Sequence, residues 1–227
     1  ATLAATCMVT ATEETDIPVV YAAISDPESA GLVDIANVTG TSDALNTAFI
    51  LDMMFAVQPD IKTVGLLYSR SEVNSETPIA QAKEYLDAKG VKYIEKTGNT
   101  TDEVLSAASE LAERCDAVFT PTDNVVMAAE SAVAEILNEA GVPHYTGADS
   151  FVYSGAFTTC GVNYTELGEK TAEMAFDILL GGEIPAYKVM DGGIITVNTE
   201  VAAKLGIDYS AFNDMANTVI EVVTSEE

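Results

Sequence analysis

The sequence predicts an α/β protein built from two doubly wound parallel-sheet lobes. The first observation is a regular alternation of short apolar strands with amphipathic helices, which is typical of right-handed βαβ units and parallel sheets. The second is that three irregular passages, residues 37–43, 147–155 and 191–193, interrupt this alternation. A single continuous sheet would not need such interruptions, so we expect two lobes.

The chain opens with a pattern typical of a short amphipathic helix over about residues 5–14. A buried strand over residues 17–24 follows it, because eight largely apolar residues stand together before a Ser-Asp-Pro turn. The next predicted helix spans residues 44–57, and either Ser42 or Asp43 can cap its first turn.

The most regular part of the pattern begins at residue 63. It predicts the strands 63–68, 91–95, 117–120 and 142–146 and the helices 75–89, 102–114 and 125–140. Apolar residues at helical spacing support each helix, for example Val104, Ala108 and Leu111. Gly90 and Gly141 follow two of these helices and are expected to end them.

The last third of the chain is less regular. After the loop at 147–155 it predicts a strand over 156–164, a helix over 167–180, a strand over 194–198 and a short helix over 200–205. Residues 208–227 are expected to form a closing amphipathic helix and an acidic end.

These elements assign the two lobes to discontinuous parts of the chain. We expect the first lobe to contain residues 1–40 and 156–190, and the second to contain residues 41–147 and 194–227.

Composition and charge limit the classes of function. A chain of 227 residues with 48% hydrophobic content is long and apolar enough for a globular fold with substantial cores. Thirty-six acidic residues against ten basic ones give a net charge of −26, which repels nucleic acid and anionic lipid. We therefore expect no nucleic-acid partner and interpret the acidic residues as a solvated surface. No segment reaches the apolar length of a membrane span, so no direct span is expected.

Neither a cofactor nor a metal site is predicted. Cys7, Cys115 and Cys160 are odd in number and widely spaced, and no CxxC or Cys/His grouping accompanies them. The stretch ending at Cys7 resembles a lipoprotein cleavage site only superficially, because its Leu stands one position too far from the Cys. No phosphate-binding GxGxxG or GxxxxGK[ST] loop is present. The one histidine, His144, has no partners that the order of elements would assemble into a catalytic triad.

Polar side chains follow a predicted strand at the motif Pro121-Thr122-Asp123-Asn124. The carboxyl ends of parallel strands form the edge at which open α/β sheets bind ligands, so this motif is a candidate site. An ordinary helix cap explains the same residues equally well, because Thr, Asp and Asn are common caps.

Several motifs in a fixed order carry a family resemblance. They are PVVYAAISDP at 18–27, NVTG at 37–40, GLLYS at 65–69, EVNS at 72–75, PTDN at 121–124, GVNY at 161–164 and AAKLGI at 202–207. This order resembles the substrate-binding proteins of ABC transporters, in the branch that includes tryptophan and tyrosine binders. The resemblance spans nearly the whole chain, and the ordered set is far more specific than any one motif.

The resemblance implies a type I periplasmic-binding-protein fold with three crossovers, which the three irregular passages would supply, and a ligand in a cleft between the lobes. It implies a binding protein rather than an enzyme, with an ABC permease as its partner. The expected location is extracytoplasmic, either periplasmic or membrane-anchored as a lipoprotein in the full-length form. Members of the family begin with further βα units, so we expect the first lobe to lack its N-terminal βα units and to expose apolar surface and an open sheet edge.

The resemblance further implies an amino-acid ligand, with an aromatic one favoured. A zwitterion needs acceptors for its ammonium group and donors for its carboxylate. Asp123 is the first choice for the ammonium group, and Asp149 is the alternative, because each follows a predicted strand. The expected ligand-binding residues are Ser25, Asp26, Ser69, Asn74, Ser75, Thr122, Asp123, Asn124, Asp149 and Ser150.

Other functions stay open at this point. A Ser or Asp at a strand end could serve a doubly wound α/β hydrolase-like enzyme, since a fold does not determine a function. A ligand-sensing effector domain of a transcription regulator shares the fold but would need a basic DNA-binding head, which this sequence does not show. A structural or interaction module is the remaining alternative. Phe151, Tyr153 and Tyr164 are candidates for an aromatic wall, although aromatic side chains more often belong to a core.

Overall fold

A computed structural model describes residues 1–225 as two compact units, which we describe separately. Unit 1 consists of Ala1–Ala44 and Val162–Gly192, and unit 2 consists of Leu45–Gly161 together with the chain from Gly193 onward. The helices are α1 (Thr2–Thr12), α2 (Thr47–Val57), α3 (Val73–Lys89), α4 (Thr101–Ala112), α5 (Asn124–Met127), α6 (Glu130–Glu139), α7 (Asp149–Tyr153), α8 (Tyr164–Leu179), α9 (Thr199–Leu205) and α10 (Phe212–Met215). The strands are β1 (Val19–Tyr21), β2 (Val38–Ser42), β3 (Thr63–Tyr68), β4 (Lys92–Thr97), β5 (Ala117–Thr120), β6 (His144–Thr146), β7 (Thr158–Gly161), β8 (Lys188–Val189), β9 (Ile194–Asn198) and β10 (Thr218–Val222).

Unit 2 is built on a seven-stranded sheet with the order β10-β9-β7-β6-β5-β3-β4. All neighbouring strands run parallel except β7 and β9, which run antiparallel. From β3 the chain moves outward to β4, returns to β5 on the other side of β3, and then continues through β6 and β7. The sheet is therefore doubly wound, and its topological switch point lies between β3 and β5.

The core of unit 2 explains why its central strands read as unbroken apolar runs. All four residues of β5 are buried, as are five of the six in β3, because helices cover both faces of a parallel sheet. The rings of Tyr145 and Phe157 pack edge to face with centroids 5.4 Å apart, and Phe212 packs against Phe157. Burial of large aromatic side chains of this kind is a main source of stability in a domain of this size.

The helix predicted over residues 125–140 is two helices in the structure. Asp123 caps the first of them, α5, and the regular backbone breaks at Ala128 and Ala129 before α6 begins at Glu130. Helical spacing of the apolar residues continues through the break, so the sequence pattern does not reveal it.

Unit 1 contains a three-stranded parallel sheet with the order β1-β2-β8. Its core contains Tyr21, Ile24, Leu32 and Val38. Strand β2 was predicted as part of an irregular passage because its sequence, VTGTS, is mostly polar, yet all five of its residues are buried. The Thr41 hydroxyl lies 2.7 Å from the Thr171 hydroxyl, whereas the buried hydroxyls of Thr39 and Ser42 have no hydrogen-bond partner within residues 1–225.

Unit 1 also exposes large apolar side chains, as expected of a lobe with few βα units. Leu179 is 84% exposed and Phe176 is 61% exposed on α8, and Leu3 on α1 is 77% exposed. Strand β1 lies at an edge of the three-stranded sheet. Both features agree with a chain that covers part of a larger fold.

The structure corrects the predicted lobe boundaries. Residues 147–155 do not lead out of the second lobe, because they contain α7 and connect β6 to β7 within one sheet. The chain changes unit at Val162 instead, so residues 156–161, predicted in the first lobe, belong to unit 2. Residues 41–44, predicted in the second lobe, belong to unit 1. Glycines at both ends of a short connecting helix gave 147–155 the composition of a crossover.

Three local predictions were also wrong. The strand predicted over 156–164 is limited to β7, and Tyr164 already begins α8. The closing helix predicted over 208–227 is the short α10 followed by strand β10, while residues 226–227 lie outside the described residues. The cap of α2 is Asn46, whose side chain accepts a hydrogen bond from the Phe49 amide, rather than Ser42 or Asp43.

The close approach of β1 and β2 predicts that a larger residue in place of Gly40 destabilises the protein. A Cβ added there would lie 2.1 Å from the Tyr21 carbonyl oxygen and 2.3 Å from a ring carbon of Tyr21. We expect Gly40→Ala to lower the free energy of unfolding by about 1–3 kcal/mol, measured by chemical denaturation. Gly168→Ala on α8 is the matched control, because a Cβ there meets nothing within 4 Å. Equal stability of the two variants would contradict the prediction.

Candidate functional site

The switch point of the unit 2 sheet brings two of the predicted site residues together. Ser69 directly follows β3, and Asp123 follows β5 by three residues. Both residues therefore lie at the carboxyl edge of the sheet. After β3 the chain continues to one side of the sheet and after β5 to the other, and the connections that leave in opposite directions form a crevice between them. Ser69, Ser75 and Asp123 are buried, whereas Asn124 is exposed.

The Asp123 carboxylate accepts four hydrogen bonds from the protein. Its Oδ1 accepts from the backbone N–H groups of Val125 and Val126, each at 3.0 Å, in the manner of a helix cap. Its Oδ2 accepts from the Ser69 backbone N–H and from the Ser75 hydroxyl, each at 2.7 Å. One side chain thus joins the end of β3, the first turn of α3 and the first turn of α5.

Two features of its surroundings act on the Asp123 carboxyl in opposite directions: burial disfavours the charged form, and hydrogen bonds stabilise it. Burial raises the pKa of this carboxyl above its ordinary value, and hydrogen bonds from Ser69, Val126 and Ser75 lower it by less. A carboxylate offers about four acceptor positions, and the protein already uses four. Asp123 therefore has little acceptor capacity left for a ligand ammonium group, which does not favour the prediction that it binds one.

Further contacts fix the backbone around Asp123. The Asn74 side-chain amide donates to the Thr122 carbonyl oxygen. The Ser69 hydroxyl lies 2.7 Å from the Ser71 hydroxyl and 3.0 Å from the Asn99 side-chain oxygen. Gly147, after β6, packs so closely that a Cβ there would lie 2.5 Å from the Thr122 amide nitrogen. Glycine at 147 is thus required by the close approach of two loops at this edge.

The other predicted residues of unit 2 lie outside this network. Asn124 is exposed and its amide donates to the Glu72 carboxylate at 2.7 Å. Asp149 and Ser150 begin α7, after the next strand of the sheet, and no hydrogen bond within residues 1–225 joins them to Asp123. Burial raises the pKa of Asp149, and the backbone amide of Ser150 partly offsets this.

A wide groove lies beside α7. It has a volume of about 940 Å³, and Ser150 and Tyr153 contribute to its lining. Phe151, a candidate for an aromatic wall, is buried in the core beside His144 instead.

In unit 1 the structure brings Ser25 to a residue that the sequence analysis did not select. The Ser25 hydroxyl donates to Asp43 Oδ1 at 3.0 Å, and the Tyr164 hydroxyl donates to Asp43 Oδ2 at 2.9 Å. Asp43 directly follows β2 and is buried, but β2 was not predicted as a strand, so the only available signal was the position of Asp43 before a predicted helix. The other predicted residue, Asp26, accepts from the backbone amide and the hydroxyl of Ser29, which closes a local turn.

The structure also assembles a hydroxyl, an imidazole and a carboxylate, which the sequence analysis did not foresee. His144 Nδ1 lies 2.9 Å from Glu130 Oε1, and its Nε2 lies 2.7 Å from the Thr120 hydroxyl. Thr120 and His144 come from the neighbouring strands β5 and β6, and Glu130 is the first residue of α6, which packs against β6. All three are buried to 1% exposure or less, so no substrate reaches the hydroxyl. This order of groups resembles a catalytic triad without the access that catalysis requires.

Within residues 1–225 no group of three or more His, Cys, Asp and Glu side chains is placed to hold a metal ion. None of the helices in that part of the chain is long and apolar enough to cross a membrane.

Burial of Glu130 predicts a pH-dependent stability. Burial raises the pKa of this carboxyl above its ordinary value of 4.5, and the nearby His144 lowers it by less. A raised folded-state pKa means that the stabilising contribution is complete below pH 4.5 and is lost as the pH rises through the folded-state pKa. We therefore expect the free energy of unfolding of the wild type, minus that of Glu130→Gln, to fall as the pH rises from 4.5, measured by denaturation at several pH values.

Glu135→Gln is the control for this series, because Glu135 lies on the same helix but is exposed. A difference between wild type and Glu130→Gln that stays constant with pH would show that the carboxyl does not titrate abnormally.

Comparison with known proteins supports the architecture and the family. A family model described as ABC transporter substrate binding protein matches residues 1–217. A tyrosine-binding protein of Clostridioides difficile is 34% identical over 188 residues, which cover 79% of this chain and 54% of that protein. The chain thus spans about half the length of that relative.

Two solved structures are similar over almost the whole chain. An ABC domain from Streptococcus pneumonia in complex with L-Trp has a TM-score of 0.88 and 30% identity, and the match covers 96% of this chain and 76% of that one. A ligand-free, open structure of a substrate-binding protein with adhesive properties from Clostridium difficile has a TM-score of 0.73 and 33% identity, with coverage of 99% and 76%.

These matches agree with the two α/β units, their parallel sheets and the motifs that carried the resemblance. The fold is that of type I periplasmic binding proteins, of which this chain covers a part. With a family match over residues 1–217, the chain belongs to the ABC transporter substrate-binding protein family.

Proposed function

We propose that this chain is the substrate-binding part of an ABC importer and that it captures an amino acid with an aromatic side chain. The observation that carries the proposal is the 34% identity to a tyrosine-binding protein over 79% of the chain. The similarity to a structure in complex with L-Trp supports the same ligand class. Binding is reversible and non-covalent in this proposal, and the protein is not an enzyme.

The wider biological role is part of the same proposal. Proteins of this family are generally extracytoplasmic, and an importer requires a permease that receives the ligand. We propose an ABC permease as the partner, and either a periplasmic location or a lipoprotein anchor for the full-length protein. The charge of −26 supports a soluble binding part that avoids anionic surfaces.

The predicted ligand-binding residues of unit 2 form two groups, one buried and one at least partly exposed to solvent, and we propose a different role for each group. Asp123, Ser69 and Ser75 are buried and bonded to one another, so we propose that they position the carboxyl edge rather than contact the ligand. Partly or fully exposed side chains at that edge are proposed as ligand contacts, and they can donate hydrogen bonds to a carboxylate. These are Thr122, Asn124 and Ser150, with Asn74 and Asp149 as buried and half-buried neighbours.

In unit 1 we propose Ser25 and Asp26 as part of the binding apparatus of that unit. Both follow β1 and are half-buried. Each is already bonded to another side chain, which fixes its orientation. Fixed polar groups cost less conformational entropy on binding than free ones.

The enzymatic alternative has less support. A hydrolase of this architecture needs an accessible nucleophile next to a base, and the hydroxyl of the Thr120–His144–Glu130 group is buried. The chain belongs to a family of transporter components rather than of transcription regulators, which supports binding for transport over binding for gene control.

Isothermal titration calorimetry tests the proposed function. We expect the full-length protein that contains this chain to bind L-tyrosine or L-tryptophan with one site and to bind a neutral sugar such as ribose much more weakly, because an uncharged ligand leaves buried charges unpaired. No heat of binding with any amino acid, together with turnover of an ester or phosphate substrate, would support the enzyme alternative instead.

A positioning role for Asp123 predicts a loss of stability as well as of affinity. Asp123→Ala leaves the donors of Ser69, Val125 and Val126 without their acceptor, so we expect a decrease of about 2–4 kcal/mol in the free energy of unfolding. Asp60→Ala, at an exposed position of the same unit, is the control. If Asp123→Ala abolished amino-acid binding but left the unfolding transition unchanged, Asp123 would be a direct ligand contact as the sequence first indicated.

A further inference from the structure

Asp43 is a buried carboxylate at the carboxyl edge of the unit 1 sheet. It directly follows β2 and is 6% exposed. Its two oxygens each accept one hydrogen bond, from Ser25 at 3.0 Å and from Tyr164 at 2.9 Å. Ser25 follows the parallel neighbour β1, and Tyr164 is the first residue of α8, so three separate segments of the unit converge on one carboxylate.

This carboxylate has no cationic partner in the described chain. The lysine–carboxylate pairs of residues 1–225 are Lys83–Glu95, Lys96–Glu110 and Lys170–Glu173, and the one histidine contacts Glu130. A charge removed from water is costly unless an opposite charge and hydrogen bonds compensate for it. Two neutral hydroxyl donors supply part of the compensation and leave roughly half of the acceptor positions of Asp43 unused.

Asp43 and Asp123 therefore differ in what they can still accept. Asp123 receives four hydrogen bonds from the protein, two of them from the backbone amides of α5. Asp43 receives two, both from side-chain hydroxyls that hold its plane in one orientation. An oriented acceptor with free capacity and no cation is suited to a cationic donor.

We infer that Asp43 is the acceptor for the primary ammonium group of the ligand, with Ser25 and Tyr164 as its positioning residues. The inference rests on the proposed function, because an amino acid is the ligand that brings such a group. An ammonium group carries three donors and one positive charge, and its bond to a carboxylate is charge-assisted. A divalent metal ion fits less well, since calcium needs six to eight oxygen ligands and only one carboxylate is present here.

The experiment compares two ligands by calorimetry in the wild type and in one variant, both prepared as the full-length protein that contains this chain. The ligands are L-tyrosine and its desamino analogue, in which hydrogen replaces the ammonium group. The wild-type protein should bind L-tyrosine about 30-fold or more tightly than the analogue, because loss of one partner of a buried charge pair has at least that effect. Asp43→Asn keeps the shape of the side chain and removes its charge, so it should bind the two ligands with similar affinity.

The two hydroxyls give a second and independent readout. Ser25→Ala and Tyr164→Phe each remove one donor from the Asp43 carboxylate, and each should weaken L-tyrosine binding about 3- to 10-fold while binding of the analogue changes less. Asp177→Asn, at an exposed position on α8, changes the net charge equally and should leave both affinities unchanged. Circular dichroism of every variant checks that the fold is retained.

The outcomes separate this inference from the proposed function. If a folded Asp43→Asn protein still prefers L-tyrosine by the wild-type factor, Asp43 is not the ammonium acceptor, although the proposed function stands. If the wild type binds both ligands equally, the inference fails without any variant, so it stays testable even if Asp43→Asn does not fold. If the wild type binds no amino acid, the proposed function fails and this inference fails with it.

Discussion

The carboxyl edge of unit 2 depends on the requirement that buried backbone amides find acceptors. At the switch point between β3 and β5 the chain leaves two neighbouring strands in different directions, and each exit exposes N–H groups that no strand can satisfy. Asp123 satisfies three of these amides and the Ser75 hydroxyl with one carboxylate. The loop after β3, the first turn of α3 and the first turn of α5 are thereby held in one arrangement before any ligand arrives.

Preorganisation of this kind has a consequence for binding. A site whose polar groups are already fixed loses less conformational entropy when a ligand binds, so more of the interaction energy appears as affinity. The Asp123 carboxylate at the centre of this network therefore has little acceptor capacity left for any further donor. The same residue type serves the opposite purpose in unit 1, where two hydroxyls orient Asp43 but do not saturate it.

The buried Glu130–His144 pair illustrates why geometry alone does not define an enzyme. The groups lie at the distances of a catalytic relay, yet the Thr120 hydroxyl at its end is sealed in the core. A structural role explains the arrangement better. Glu130 is the first residue of α6, where the preceding helix breaks, and its bond to His144 anchors that new helix to the neighbouring strand. A buried pair of this kind is strongly destabilising to break, whatever its net contribution to stability.

The sequence by itself determined the α/β class, the order of the regular elements from β3 to β6, and the family. Strong local signals carry these features: unbroken apolar strands, helical spacing in α4, and glycines after helices. Only the tertiary structure decided that residues 147–155 remain in one sheet, that β2 is a buried strand, and that Asp43 is joined to Ser25 and Tyr164. Asp43 and Tyr164 are 121 positions apart in sequence. A local pattern can place each of them after a strand or before a helix, but only the pairing of distant segments determines which acceptors are filled and which remain free.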